Sequence, residues 1–205
     1  MVYHYIFKIL ILGDCRVGKS SIQHILENGY FIDHIYPTIG VEFMTKYVHI
    51  NDAIIKCQLW DASGDQRFNE IIDTYIGDNV GIILVFDKSN YTSFINLEKW
   101  IEKIKSKNHD FMPNILLVGN KCDKEIKTSR ETAKKFAEKY NCDYVEISAK
   151  RDNKITMAFI NFIKKIYNKG DSIDYSPGVK LGVKRLLNLK KKKSVCERVY
   201  NYFKC

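Results

Sequence analysis

The sequence predicts an α/β fold of three layers, in which a six-stranded, mostly parallel sheet with one antiparallel edge strand is covered by about five helices. Strand-like and helix-like segments alternate along residues 5 to 167. The predicted strands are uniformly apolar, as in sheets that are buried on both faces. Asn51-Asp52 lies between two strands and is typical of a hairpin turn, which makes one edge strand antiparallel.

The individual elements follow from hydrophobic spacing along the chain. Apolar runs predict six strands, over residues 5–12, 41–50, 54–61, 80–86, 115–119 and 144–148. Helical stretches are predicted to begin at Gly18, to follow the third strand, and to span residues 91–106, 129–139 and 154–167. The pattern dissolves after Gly170, so we expect one domain over residues 1–170 and a basic, flexible tail over residues 171–205.

Length and composition set the broad class of the protein. The 205 residues are 45% hydrophobic, which is enough for one ample core. The apolar runs are far shorter than the roughly 20 residues of a membrane-spanning helix, and no secretory signal pattern is visible, so a cytosolic protein is expected. The six cysteines have no C-x-x-C spacing, which favours free thiols over disulfides or zinc ligands.

The net charge of +9 is concentrated in the predicted tail. Residues 171–205 hold nine Lys or Arg against three acidic residues, an excess of +6 that leaves +3 for residues 1–170. This distribution favours contact with an anionic membrane surface over nucleic-acid binding by the domain. The lysine run 190–193, with leucines and aromatic residues nearby, suits such a surface. Lysine runs are also commonly solvated linkers, and that alternative stays open.

A phosphate-binding loop is predicted directly after the first strand. Residues 13–20 read G-D-C-R-V-G-K-S, a full match to G-x-x-x-x-G-K-[ST], which makes this a P-loop fold. Backbone N–H groups of such a loop and the dipole of the next helix hold phosphate. We expect Lys19 to reach the β and γ phosphates and Ser20 to ligate Mg²⁺. The residues predicted to contact the nucleotide here are Gly13, Asp14, Cys15, Arg16, Val17, Gly18, Lys19, Ser20 and Ser21.

Two further loops at strand ends complete the predicted site. Asp61 ends the third strand, where a carboxylate would hold Mg²⁺ through water, and the N–H of Gly64 would meet the γ phosphate. Asp87 ends a strand in the same way, but no motif accompanies it, so a structural role is expected.

Guanine is the base that the remaining motifs favour. The Asp123 carboxylate of N-K-C-D can accept two hydrogen bonds from guanine N–H groups, both of which adenine lacks. The following I-S-A-K offers a backbone N–H to the guanine O6. GTP or GDP is therefore the predicted ligand, and an ATP-dependent kinase is disfavoured. The residues predicted on this side of the site are Asn120, Lys121, Asp123, Ser148, Ala149 and Lys150.

The set G-D-C-R-V-G-K-S, T-I-G-V-E-F, W-D-A-S-G, N-K-C-D and I-S-A-K, in this order, resembles the Ras superfamily of small GTPases over about residues 5–168. T-I-G-V-E-F and Trp60-Asp61 resemble the Rab family. The resemblance implies a monomeric, Mg²⁺-dependent GTP/GDP switch in vesicle or membrane traffic. Its implied partners are effector, exchange-factor and GTPase-activating proteins, and its implied location is the cytosol and the cytoplasmic face of membranes.

The resemblance also implies roles for individual residues. Thr38 would close on Mg²⁺ and the γ phosphate, and segments near 32–44 and 62–78 would reorder on hydrolysis. Phe31 would lie against the base, although packing in the core is nearly as good an interpretation. The implied effector surface consists of Ile39, Gly40, Val41, Glu42, Phe43, Trp60 and Tyr75. Phe43 and Trp60 could instead be ordinary half-buried strand residues.

The chain departs from the family pattern at the residue that orients the attacking water. The family has glutamine where this chain has Asp65, with Gln66 next. An ionised Asp is shorter, only accepts hydrogen bonds, and adds negative charge near the γ phosphate, so slow hydrolysis is expected. In a rival hypothesis, Gln66 rotates in to replace it. In the alternative function, the chain is a non-hydrolysing, GTP-bound interaction module.

Other departures lie in the loop and the tail. Cys15 and Arg16 occupy positions where relatives often carry small residues. The printed sequence ends at Cys205 without a C-a-a-X box, and Cys196 precedes it by nine positions. Lipidation of Cys205, and more weakly of Cys196, is a hypothesis.

Overall fold

A six-stranded sheet lies at the centre of the computed structural model, which describes residues 3–77, 79–108 and 112–170. The strand order is β2-β3-β1-β4-β5-β6. Every neighbouring pair is parallel except β2 with β3. The strands are β1 (Tyr5–Leu12), β2 (Val41–Ile50), β3 (Ala53–Ala62), β4 (Gly81–Asp87), β5 (Asn114–Asn120) and β6 (Asp143–Glu146). The predicted fold class, with one antiparallel edge strand, is confirmed.

Helices cover both faces of this sheet. They are α1 (Lys19–Asn28), α2 (Asn69–Ile76), α3 (Tyr91–Ile95), α4 (Leu97–Lys107), α5 (Arg130–Lys139) and α6 (Lys154–Gly170), and a 3-10 turn (Gln66–Phe68) precedes α2. The single helix predicted over residues 91–106 is therefore two helices, α3 and α4. Asn96 joins them in a helical conformation (φ −68°, ψ −11°), so α4 continues directly from α3.

The last strand is shorter than its hydrophobic run predicted. β6 ends at Glu146, whereas the prediction extended to residue 148. The backbone N–H of Ser148 donates to the Asp152 carboxylate (3.1 Å) instead of to a neighbouring strand. Ser148 consequently belongs to the loop that follows the sheet.

Alternate residues of the strands supply two separate hydrophobic cores. In β1, Ile9 and Ile11 face a core shared with α1 and α6, and Leu10 and Leu12 face a core shared with α2, α3, α4 and α5. All four side chains are fully buried. Since a strand turns successive side chains to opposite faces, burial on both sides explains why the strands are continuously apolar. The carboxyl ends of the five mutually parallel strands meet at one edge of the sheet, where the site described below lies.

A buried ion pair supports this edge, and the hydrophobic pattern did not predict it. Lys88 follows β4, is 1% exposed, and donates from Nζ to Glu146 Oε1 of β6. The Tyr144 hydroxyl donates to the same oxygen (2.8 Å). Burial raises the pKa of Glu146, but the hydrogen bonds from Lys88 and Tyr144 outweigh it and leave the pKa below its ordinary value of 4.5. The pair therefore fastens the end of β4 to β6.

Replacing Lys88 by Met should lower the free energy of unfolding by about 2 to 3 kcal/mol, because Glu146 loses its counter-charge in a largely buried setting. Stabilisation by Glu146 is complete above pH 4.5 and is lost as the pH falls through its lower folded-state pKa. The difference between wild type and Lys88→Met should therefore shrink in acid. Urea unfolding at neutral and acid pH measures both quantities.

Lys139→Met is the matched control, because it breaks an ion pair with Glu98 in which both side chains are more than half exposed. It should cost much less than Lys88→Met. Equal losses for the two variants would contradict a special role for the buried pair. Adding Glu146→Gln to Lys88→Met should recover part of the loss.

Candidate nucleotide-binding site

The loop between β1 and α1 can be built only with glycine at two of its positions. Gly13 has φ +139°, and a Cβ there would lie 2.1 Å from the carbonyl oxygen of Val85. Gly18 has φ +99°, and its Cβ would lie 2.3 Å from Asn120 Nδ2. Both are fixed glycines of the G-x-x-x-x-G-K-S motif. The motif therefore matches a backbone shape that other residues would not permit.

Lys19 places its ammonium group inside this loop. Nζ donates to the carbonyl oxygens of Gly13 (3.0 Å) and Asp14 (2.8 Å), and the residue is 6% exposed. Burial lowers the pKa of Lys19, and the negative charge of Asp61 opposes that effect. A buried cation whose hydrogen bonds, among the described residues, go to two neutral carbonyl groups is suited to meet an anion. Contact with the phosphates stays a prediction.

Oxygen atoms from three segments converge beside Lys19. Asp61 Oδ2 accepts hydrogen bonds from Ser20 Oγ (2.5 Å) and Thr38 Oγ1 (3.1 Å), and the two hydroxyl oxygens are 2.9 Å apart. Asp61 is fully buried, and burial raises its pKa against the opposing hydrogen bond from Ser20. Its other oxygen, Oδ1, is buried and has no hydrogen-bond partner among the residues that the structure describes.

This group of oxygens fits a hard divalent cation. Mg²⁺ prefers hydroxyl, carboxylate and water oxygens, and it commonly keeps several of its waters. Ser20 and Thr38 can turn their hydroxyl groups away from Asp61 to present lone pairs. The unpartnered Oδ1 of Asp61 can accept a hydrogen bond from a water of the ion. The residues predicted as metal ligands are thus close together, and a metal bound to them stays a prediction.

Two adjoining cavities open at this edge of the sheet. The larger cavity, about 670 Å³, is lined by residues 15–21 (without Val17), 35–39 and 63–68 (without Gln66), and by Lys121. The smaller cavity, about 330 Å³, is lined by Gly18, Ser21, Phe31, Asp33, Asn120, Lys121, Asp123, Lys124, Ala149 and Lys150. Most residues predicted for the phosphates line the larger cavity, but Gly13, Asp14 and Val17 do not. The residues predicted for the base line the smaller cavity, except Ser148.

Asn120 connects the loops around the smaller cavity. Its Nδ2 donates to the carbonyl oxygen of Val17 (2.9 Å), and its Oδ1 accepts from the backbone N–H groups of Lys121 (2.7 Å) and Ala149 (3.0 Å). The residue is 1% exposed. The sequence predicted a nucleotide contact here, whereas the structure uses the side chain to join three loops of the protein.

Asp123 has one carboxylate oxygen engaged within the protein. Asp123 Oδ1 accepts from Ser148 Oγ (2.6 Å), and this hydrogen bond lowers the pKa of the carboxyl group. The carboxylate is therefore ionised at neutral pH and lines the smaller cavity. An ionised acceptor in this position agrees with the predicted preference for guanine.

Lys121 spans the two cavities and is held at its tip. Nζ donates to the carbonyl oxygen of Arg16 (2.5 Å) and pairs with Asp87 Oδ2 (2.8 Å). Burial raises the pKa of Asp87, but hydrogen bonds from Lys121 and Ser89 outweigh it and lower the pKa overall. Asp87 thus has the expected structural role. Its partner, Lys121, is a residue predicted to contact the nucleotide, and the sequence did not predict this ion pair.

Phe31 and Lys150 close the outer side of the smaller cavity. Lys150 Nζ lies 5.9 Å from the centre of the Phe31 ring and donates to Asp33 Oδ1 (2.7 Å). Phe31 also packs against the core shared by α1 and α6. Phe31 therefore packs against the core and lines the cavity at the same time, and its contact with the base stays a prediction.

The Asp14 side chain bonds to the α3–α4 segment. Asp14 Oδ2 accepts from Asn96 Nδ2 (2.7 Å), and Asp14 Oδ1 accepts from the indole N–H of Trp100 (2.9 Å). The Asp14 carboxylate thus fastens the loop to α4, and a contact of Asp14 with the nucleotide stays a prediction. An asparagine and a tryptophan within one helical pattern gave no sign of the contact with α4.

Asp65 lines the larger cavity, whereas Gln66 does not. The Asp65 carboxylate accepts three hydrogen bonds from Arg67. Gln66 begins the 3-10 turn and lines a separate outer cavity beside Lys99 and Trp100. In this conformation Gln66 is not placed to substitute for the glutamine of the family.

Three of the predicted effector residues, Phe43, Trp60 and Tyr75, form an aromatic cluster. The ring centres of Phe43 and Trp60 are 4.5 Å apart, and those of Trp60 and Tyr75 are 5.2 Å apart. Phe43 is 49% exposed and Ile39 is 80% exposed, while Gly40 is buried. Val41 is half-buried, and Glu42 is exposed. Contact with a partner stays a prediction.

The predictions for the tail fall outside the described residues. Cys196, Cys205 and the lysine run 190–193 belong to the segment 171–205, of which nothing is described. Within the described ranges, Cys15, Cys57, Cys122 and Cys142 are free thiols. No helix in this part of the chain is both long and apolar enough to span a membrane.

Known proteins resemble this chain over most of its length. The Ras family model matches residues 8–168. The Ras-related protein Rab-11B of Dictyostelium discoideum is 38% identical over 169 residues, which cover 80% of this chain and 76% of the relative. RABA1f of Arabidopsis thaliana is 36% identical and Rab11B of Nicotiana tabacum is 35% identical, each over 167 residues and with the same coverage.

Asp14→Ala should lower the free energy of unfolding by about 2 kcal/mol, because Asn96 and Trp100 both lose a charged acceptor. Trp100→Phe removes one of the two hydrogen bonds and should cost about half as much. Urea unfolding monitored by circular dichroism gives both values. An unfolding midpoint of Asp14→Ala equal to that of the wild type would show that the contact does not stabilise the fold.

Proposed function

The chain is a Rab-type member of the Ras family, and from this premise we propose that it is a GTP/GDP switch that acts with Mg²⁺ in vesicle or membrane traffic. The observation that supports this most directly is the convergence of Ser20, Thr38 and Asp61 beside the buried ammonium of Lys19. The segments that hold these residues are separate in the sequence, so their meeting requires the whole fold. The relatives named above are Ras-related and Rab proteins, which agrees with this proposal.

Nucleotide binding would begin with an exchange of partners at Lys19. Its ammonium leaves the carbonyl groups of Gly13 and Asp14 for the more favourable charge of the phosphates. The backbone N–H groups of the loop and the N-terminal end of α1 add their partial positive charge. On the other side, the ionised Asp123 carboxylate accepts hydrogen bonds from guanine while Ser148 holds one of its oxygens.

Mg²⁺, when bound by Ser20 and Thr38 and through water by Asp61, supplies charge neutralisation on the phosphate oxygens. The protein contributes orientation. Ser63 N–H donates to the carbonyl oxygen of Gly40 (2.8 Å), which keeps the loop carrying Thr38 close to the loop carrying Gly64. A Cβ at Gly64 would lie 2.3 Å from backbone atoms of Asp14 and Cys15, so the Gly64 loop is in direct contact with the phosphate loop.

We propose slow hydrolysis by in-line attack of water on the γ phosphate. Lys19 and the backbone donors stabilise the negative charge of the transition state. The position that should orient the water holds Asp65, which cannot donate a hydrogen bond when ionised, and Arg67 already occupies both of its oxygens. Gln66 does not line the larger cavity. In the described conformation, neither Asp65 nor Gln66 is therefore well placed for this step.

A permanently GTP-bound interaction module is the second candidate function. The observation that favours it is the pair of Asp65 and Arg67, in which both carboxylate oxygens are already engaged and are not free to orient the attacking water. Such a module would present Phe43, Trp60 and Tyr75 continuously to an effector. The two candidates bind the same nucleotide and differ only in turnover.

The remaining parts of the proposal concern location and organisation. We propose a monomeric domain over residues 1–170, followed by a basic tail over residues 171–205 that contacts an anionic membrane surface. Lipidation of Cys205, or more weakly of Cys196, would strengthen that contact. The protein would then exchange between the cytosol and the cytoplasmic face of membranes. Exchange factors and GTPase-activating proteins would act on it at the membrane.

Asp65→Gln should raise the single-turnover rate of phosphate release from bound GTP by at least about tenfold, since an amide can both donate to and accept from the attacking water. The wild-type protein and a Gln66→Ala variant, measured in parallel, should release phosphate at similar slow rates. Loss of the wild-type rate in Gln66→Ala would support Gln66 as the water-orienting residue. No wild-type release over a day, with GTP retained, would favour the permanently bound module.

Asp123→Asn should weaken GTP binding by at least about a hundredfold, because two hydrogen bonds to a charged acceptor are lost or reversed. The same variant should gain affinity for xanthosine triphosphate, whose base presents a carbonyl group to the new amide donor. Glu125→Gln, which neutralises an exposed acid of the same loop, is the control and should bind GTP like the wild type. Equal loss in both variants would contradict base recognition by Asp123.

A further inference from the structure

Arg67 encloses the carboxylate of Asp65 with three hydrogen bonds. The backbone N–H of Arg67 donates to Oδ1 (2.9 Å), and its Nε (3.0 Å) and Nη2 (2.6 Å) both donate to Oδ2. Arg67 thereby lowers the pKa of Asp65 and keeps the carboxyl group ionised. The negative charge of Asp65 is thus neutralised by a partner two residues away in the same loop.

The exposure of the pair indicates that its main effect is not on folding. The Arg67 side chain is 80% exposed and that of Asp65 is 30% exposed. Ion pairs as exposed as this contribute little to stability. Both residues line the larger cavity, so a ligand there meets a neutral pair of charges instead of a lone carboxylate.

The pair lies between two cavities. Asp65 and Arg67 line the larger cavity, which Lys19 and Thr38 also line. They also line the outer cavity of about 650 Å³, which extends to Asn90 and Lys103. Two hydrogen bonds that do not involve Arg67 hold the main chain at Asp65, from Asp65 N–H to Ser63 Oγ (3.3 Å) and from Ser63 N–H to the carbonyl oxygen of Gly40 (2.8 Å). The Asp65 carboxylate is consequently held near the larger cavity whether or not Arg67 pairs with it.

We infer that Arg67 is a positioning residue that neutralises Asp65 and so determines how strongly the site prefers GTP over GDP. This inference rests on the proposed function, because the larger cavity is assigned to the phosphates. GTP carries a γ phosphate that GDP lacks, and Gly64, which adjoins Asp65, is the residue expected to meet it. An unpaired carboxylate would repel that phosphate and hardly affect GDP. With Arg67 in place, the chain can carry Asp in this position and still accept GTP.

The test compares affinities for GDP and for a non-hydrolysable GTP analogue, both with Mg²⁺, across matched variants. Arg67→Ala should lower the ratio of GTP-analogue to GDP affinity about fivefold, as expected for one unscreened charge about 4 Å from another in water. The same substitution in an Asp65→Asn background should lower the ratio much less, because the guanidinium is 80% exposed and without the carboxylate it is no longer held at the cavity. Arg67→Lys retains the charge and should keep most of the wild-type ratio. The decrease in Arg67→Ala should shrink as salt is added, since the carboxylate is exposed.

Arg130→Ala removes an exposed arginine that lines none of the three cavities, and it controls for the loss of positive charge. An unchanged ratio in Arg67→Ala, or an equal fall in the Asp65→Asn background, would overturn the inference. A merely structural role of Arg67 in the 3-10 turn would lower stability and leave the ratio and its salt dependence as in wild type. Failure of the wild-type protein to bind either nucleotide would instead overturn the proposed function.

Discussion

The side-chain amide of Asn120 is the contact on which the site depends. It joins the phosphate loop, the N-K-C-D loop and the loop after β6 with three hydrogen bonds, and it is almost completely buried. Its nearness also requires glycine at position 18, because a Cβ would lie 2.3 Å from Nδ2. Gly18 and Lys121 line both cavities, and the Asn120 amide contacts both residues. One amide therefore fixes the shape of the wall that the two cavities share. A buried amide with unmet hydrogen bonds would be costly, so the three loops are held in register with one another.

Much of the site was predictable because parallel topology brings strand ends together. Lys19 and Ser20 follow β1, and Asp61 lies at the end of the neighbouring strand β3, so their meeting follows from the strand order. Pairings between residues with no shared pattern could not be predicted. Lys88 directly follows a strand and would be expected at the surface, but Glu146, 58 positions later, gives it a buried partner. Asn96 sits within a helical pattern, and its bond to Asp14 spans 82 positions.

The structure changes the physical meaning of the departure at Asp65. From the sequence, an aspartate at this position adds a negative charge beside the expected γ phosphate. In the folded chain Arg67 compensates that charge locally. What the aspartate cannot regain is a hydrogen-bond donor, since an ionised carboxylate has none. Electrostatic repulsion and loss of a donor are therefore separable, and the folded chain relieves only the first of them.

The contact of Asp14 with Asn96 and Trp100 also bears on how this sequence can diverge. A carboxylate that serves two donors of one helix makes three positions interdependent, although 82 and 86 residues separate Asp14 from its partners. In a relative without the acid at position 14, an amide at position 96 and an indole N–H at position 100 would lose their shared acceptor. Both donors would then lack this hydrogen bond. Positions 14, 96 and 100 should accordingly co-vary among relatives, with the acid and its two donors gained or lost together.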